Sequence, residues 1–155
     1  MLTQVAGRSG RVKKGRVVFE AMDPENQILR LAAEQNYEAF YKQELEERRL
    51  SFYPPFSRIL RLLVRAKDER VAEDDAERLH ALLAAEPSLK APGIQLLGPA
   101  PAPLERLNDY YRHHMIIKAE DIDAFSPVVR RIARAFRSSQ KKSYLEIDPD
   151  PVDLL

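Results

Sequence analysis

The chain reads as an α+β protein whose main domain is a ferredoxin-like split β-α-β-β-α-β sheet, preceded by a helical linker. Three observations predict it. Residues 58–67 alternate in side-chain character at a period of two, the pattern of a half-buried strand. Two segments, 69–86 and 122–137, carry apolar side chains at helical spacing. Short runs at 94–97, 110–119 and 144–147 read as further strands between and after them. Strand, helix, strand, strand, helix, strand in that order gives an antiparallel sheet with both helices on one face.

Taken in order, Lys13-Lys14-Gly15 is a turn, and residues 16–21, with Val17, Val18 and Phe19, form a short strand. Asp23-Pro24 starts a helix, Asp as N-cap and Pro pre-set at the first helical position. Ile28, Leu29, Leu31 and Ala32 supply its apolar side. Asn36 caps a second helix in which Tyr37, Phe40, Tyr41 and Leu45 recur near helical spacing. Glu38–Lys42 and Glu44–Arg48 sit four apart on it, each worth a few tenths of a kcal/mol. Tyr53-Pro54-Pro55-Phe56 ends that helix, because neither proline can donate a backbone hydrogen bond. It reads as a rigid hinge rather than a proline-recognition peptide.

In the strand 58–67, Leu60, Leu62, Val64 and Ala66 face one way and Arg61, Leu63, Arg65 and Lys67 the other. Helix 69–86 puts Ala72, Ala76, Leu79 and Leu83 on one face and stops at Pro87. Strand 94–97 runs into a loop at 98–103. The last helix buries Phe125, Val129, Ile132 and Phe136, with Ser126-Pro127 marking its start.

At 155 residues the chain holds one domain, with a short leading appendage, and is long enough for a proper core. Its net charge of +1 gives no global signal for nucleic acid. The distribution does: Arg8, Arg11, Lys13, Lys14 and Arg16 form a local basic patch with no acid among them. Cysteine is absent, which excludes disulfides and thiolate metal sites and makes the cytoplasm the natural compartment. No apolar run approaches the roughly 18 residues of a membrane span, and no signal peptide is visible. His113 and His114 are adjacent on a strand and point to opposite faces, and His80 lies far off on a helix, so the histidines predict no metal site.

The segment Gln4-Val5-Ala6-Gly7-Arg8-Ser9-Gly10-Arg11 carries the sharpest chemical signal. The pattern Gln-x-x-Gly-Arg-x-Gly-Arg resembles motif VI of superfamily 2 helicases. A forked, permanently charged guanidinium suits the spread negative charge of phosphoryl transfer better than a lysine does. Glycines beside the arginines let the backbone turn tightly. Further on come Tyr37-Glu38-Ala39-Phe40-Tyr41, Tyr53-Pro54-Pro55-Phe56-Ser57-Arg58, Leu97-Gly98-Pro99-Ala100-Pro101-Ala102-Pro103, Tyr111-Arg112 and Ile147-Asp148-Pro149-Asp150-Pro151. That ordered set resembles the C-terminal portion of the primosomal protein N′ (PriA) family, the bacterial replication-restart DNA helicases, over essentially the whole chain.

The resemblance implies a division into the end of the second helicase lobe (1–22), a helical linker (23–56) and a C-terminal domain (57–155) similar in fold to ribosomal protein S10. It implies ATP-driven 3′→5′ unwinding of forked DNA and primosome assembly for the parent protein. Arg8 and Arg11 would be its transition-state stabilisers, with Gln4, Gly7 and Gly10 forming half of an ATP site. A phosphate-cradling Gly-x-x-x-x-Gly-Lys-Ser/Thr loop does not occur here, so this chain alone is expected neither to bind ATP with magnesium usefully nor to hydrolyse it. The family's cysteine-ligated zinc module has no counterpart in a chain without cysteine. Implied partners are forked or single-stranded DNA, single-stranded DNA-binding protein and other primosome proteins. The other reading is a free-standing module for single-stranded nucleic acid with no tie to a motor; a third is a purely structural interaction domain.

Alternation on the sheet puts Arg61, Arg65, Arg112, His114, Lys118 and Tyr144 on the helix-free face. Cations there would serve backbone phosphates and the aromatic would stack a base. An ordinary solvated polar face explains the same residues, and Leu63 and Ile116 also suit burial against another domain. Lys141, Lys142 and the arginines 130, 131, 134 and 137 on the last helix form a second surface, which a solvated helix face explains as well.

Overall fold

The structure, a computed structural model, describes residues 18, 20–23, 25–139 and 142–152. The chain divides into two compact units, Met1–Ser51 and Phe52–Leu155. Each has its own logic.

In the first unit α1 spans Gln27–Ala33 and α2 spans Tyr37–Leu50. The expected start of α1 moves. Asp23 builds a turn instead, its carboxylate accepting from the Glu25 N–H and its carbonyl from the Asn26 N–H. Asn26 is the cap, with its side-chain oxygen accepting from the Ile28 N–H at 2.9 Å. Asn36 caps α2 as its position predicts, accepting from Ala39 N–H. The two four-apart ion pairs, Lys42–Glu38 at 2.8 Å and Arg48–Glu44 at 2.7 Å, both form. Of the strand expected at 16–21, residues 18, 20 and 21 have no regular structure, and 16, 17 and 19 lie outside the described residues.

The second unit is the four-stranded sheet. Its strands are β1 (Arg58–Ala66), β2 (Gln95–Leu107), β3 (Tyr110–Ala119) and β4 (Ser143–Pro149), in the order β2-β3-β1-β4. All three pairings are antiparallel. Two helices, α3 (Glu69–Ala84) and α4 (Ser126–Ser139), connect β1 to β2 and β3 to β4, with a short 3₁₀ turn at Pro87–Lys90 after α3. This is the ferredoxin-like arrangement.

Leu60, Leu62, Val64, Met115 and Ile117 from the sheet pack with Ala76, Leu79 and Leu83 of α3 and with Val129, Ala133 and Phe136 of α4. Each fully buried Leu, Val or Phe contributes roughly 1.5–3 kcal/mol. Asp68 caps α3, its carboxylate accepting from Val71 N–H at 3.1 Å. Asp75 on α3 is buried and accepts from the Ser143 hydroxyl at 2.7 Å, tying that helix to the start of β4.

The main departure is β2. Residues 98–103 continue the strand rather than leaving it as a loop. Its register on β3 shifts between Leu97 and Ala100 and again between Pro101 and Arg106. As an edge strand it tolerates prolines that a central strand would reject. Gly98 is in the left-handed region at φ +96°, and a Cβ there would lie 2.7 Å from the His114 carbonyl oxygen. Only glycine fits that close approach.

Candidate nucleic-acid interface

The register shows which side chains share the helix-free face. Leu63 stands opposite His114 on β3 and Glu146 on β4, Arg65 opposite Arg112 and Tyr144, and Arg61 opposite Ile116 and Asp148. Lys118 stands opposite Ile59. Arg61, Arg65, Arg112, His114, Lys118 and Tyr144 therefore lie on one face, as alternation requires.

That face is not the exposed cationic platform expected of it. The strand that supplies Tyr144 also supplies acids in the same phase. Arg61 pairs with Asp148 at 3.1 Å and Arg65 with Glu146 at 2.6 Å. At the end of the ladder Arg58 reaches both Asp123 (2.8 Å) and Asp150 (2.7 Å). Its hydrogen bonds to Asp150 and Asp123 push the Arg58 pKa further up, and the bond from Arg58 holds the Asp150 carboxyl below the usual range.

The other two cations are covered. Arg112 is 7% exposed and donates to the Leu104 carbonyl at 3.0 Å, where β2 bulges. Lys118 is 4% exposed, its Nζ 3.6 Å from the centre of the Tyr53 ring. Ile59, Leu63 and Ile116 are buried on the same side. His114 is partly buried; that burial first, then the charges of Arg61, Arg112 and His113, lower its pKa from the ordinary 6.5.

Exposed charge and aromatic surface meet at one end of the face. Tyr110 at the start of β3 and Tyr144 on β4 flank β1, their rings 5.8 Å apart and edge-to-face at 73°. The Arg65 guanidinium lies 4.9 Å from the Tyr110 centroid and 5.3 Å from that of Tyr144. Lys67, Asp68, Val71 and Lys142 join the tyrosines around a shallow pocket of about 250 Å³. Sequence reasoning singled out Tyr144 and Arg65 here but missed Tyr110. The signal was present, since Tyr110 is in phase with Arg112.

Residues 49–152 match the family model described as the primosomal protein N C-terminal domain. The chain belongs to this family. The replication restart protein PriA of Treponema pallidum is 36% identical over 159 residues, covering 100% of this chain and 23% of that protein. Its namesake in Bacillus subtilis is 30% identical, covering 97% and 19%, and that of Thermotoga maritima 28%, covering 99% and 19%. The chain thus spans about a fifth of the length of the curated relatives it matches. Among solved structures, a de novo designed protein with a ferredoxin fold is similar at a TM-score of 0.41 and 15% identity, over 61% of this chain and 85% of that one.

In this PriA C-terminal chain, the segment with Gln4, Gly7, Arg8, Gly10 and Arg11 lies outside the described residues, as does Lys141. On α4, Arg131 pairs with Glu86 at 2.9 Å and Arg137 donates to the Leu145 carbonyl at 2.7 Å, so these two serve the domain's own packing. Arg130 and Arg134 are exposed. Among the described residues no group of His, Cys, Asp or Glu could hold a metal ion, and no helix is long and apolar enough to cross a membrane.

Proposed function

We propose that this chain is the DNA- and partner-docking end of a replication-restart helicase. Family membership supports the replication-restart role. One observation carries DNA docking: cations and two tyrosines converge at the exposed end of the helix-free face, around Tyr110 and Tyr144. Antiparallel sheets with aromatic and basic residues on their uncovered side offer stacking and phosphate contacts to unpaired strands. Single-stranded DNA-binding protein and other primosome proteins are the partners this reading implies, and the cytoplasm its compartment.

A labelled replication fork titrated against the chain by fluorescence anisotropy tests docking, with blunt duplex and single strand as controls. Salt-sensitive binding to the fork is expected. No binding to any of the three at low salt would remove the docking role.

The motor half of the proposal rests on Arg8 and Arg11. In the longer protein they would reach ATP phosphates beside magnesium, with Gln4, Gly7 and Gly10 shaping the loop. Arg11→Ala in that longer protein should cut DNA-stimulated ATP hydrolysis by at least 10³-fold, on the order of an arginine finger's contribution. Retained hydrolysis would leave the loop a basic arm only, the expectation of a free-standing binding module.

A further inference from the structure

We infer that the Tyr110–Tyr144 corner is a stacking site for an unpaired DNA nucleotide, with Lys67 and Lys142 holding its flanking phosphates. The inference rests on the docking role proposed above and names the ligand and the residues.

The rest of the sheet face argues by contrast. Arg61 and Arg65 each face a carboxylate within 3.1 Å, and Arg112 and Lys118 are buried. A polyanion gains little from cations already neutralised or withdrawn from solvent. Lys67 and Lys142 differ. Both are exposed, and among the described residues neither has a carboxylate within ion-pair distance. Asp68 beside them is engaged at the N-terminus of α3, accepting from Val71 N–H.

The aromatic half is equally specific. An exposed tyrosine alone is ordinary; two brought together from β3 and β4 across β1 are not. The Arg65 guanidinium lies against both rings, within 4.9 and 5.3 Å of their centroids. That contact fixes their orientation, since a cation is held over a ring face. Tyr144 keeps 55% of its surface exposed. A solvated ring held in place offers a base a platform whose ordering cost is already met. Because every base has a π-face, the site should be indifferent to sequence but should require the base to be unpaired. Blunt duplex, whose bases are stacked internally, would use the lysines alone.

The test uses the whole chain with oligo-dT, a fork and a blunt duplex. The chain has no tryptophan, so its six tyrosines dominate intrinsic fluorescence. Oligo-dT should quench that fluorescence, and Tyr144→Ala should weaken oligo-dT binding on the order of tenfold while leaving duplex binding unchanged. Tyr144→Phe should restore it. Lys142→Glu should weaken both ligands. Tyr41→Ala on exposed α2 is the control and should change nothing. Irradiated 5-iodouracil in the oligonucleotide should cross-link to Tyr110 or Tyr144, read by peptide mass spectrometry. If oligo-dT and fork bind but Tyr144→Ala binds like the parent chain, or cross-links map elsewhere, the stacking site is wrong and docking stands. If the parent chain binds none of the three, the docking role falls with it.

Discussion

His114 is the residue at which local environment changes chemistry most visibly. It stands between Leu63 on β1 and Ala100 on β2, with Arg61 and Arg112 close enough to oppose its protonation. Burial and those charges lower its pKa from 6.5 in the folded chain. The unfolded chain therefore takes up a proton first as pH falls. The stability its neutral form contributes is full above about pH 6.5, the unfolded value, and is lost as pH drops from there through the folded pKa. His114→Gln keeps a polar side chain without the titration. Melting temperatures measured from pH 7.5 down to pH 5 should fall less steeply in that variant than in the parent chain. Parallel curves would show that His114 is not the group responsible. Its placement on the helix-free face was legible from alternation alone; its partial burial was not, because the cover comes from β2 and from residues distant in sequence.

At the scale of elements, local signals were reliable where periodicity and capping agreed. Asn36 and the four-apart ion pairs of α2 formed as spacing required. Strands β1 and β3 kept nearly the bounds their alternation indicated, and Ala72, Ala76, Leu79 and Leu83 all face the core from α3. β2 failed for a physical reason. Four of its residues are glycine or proline, which reads as a loop, yet an edge strand needs only one side of its backbone paired. A second signal lay in Asn108-Asp109, both at positive φ (50° and 62°), the two-residue turn that joins β2 to β3. Read backwards from that turn, the segment before it had to be a strand. The acids of β4 were legible too. Once Tyr144 is assigned outward, Glu146 and Asp148 follow at a period of two. Counting only the cations of a face overstated its charge.

For the whole molecule, the distribution of charge decides what kind of DNA contact to expect. A net charge of +1 on 155 residues creates little long-range attraction, so affinity must come from a few local phosphate contacts. Two sources compete. The corner supplies Lys67 and Lys142. The stretch 6–16 supplies Arg8, Arg11, Lys13, Lys14 and Arg16 with no acid between them. For a single strand, each neutralised phosphate contributes about −0.7 to the slope of log K against log salt. The corner alone therefore predicts a slope of about −1.4, and both sources acting together about −5. Measuring oligo-dT affinity across a salt series gives the number directly. A slope near the shallow limit assigns the phosphate contacts to the sheet domain. A slope near the steep limit, reduced on replacing Arg8 and Arg11 together by alanine, would mean that the loop contacts DNA itself. That outcome would give these guanidiniums a DNA phosphate contact in this chain, beside the ATP role that the family resemblance implies for the longer protein.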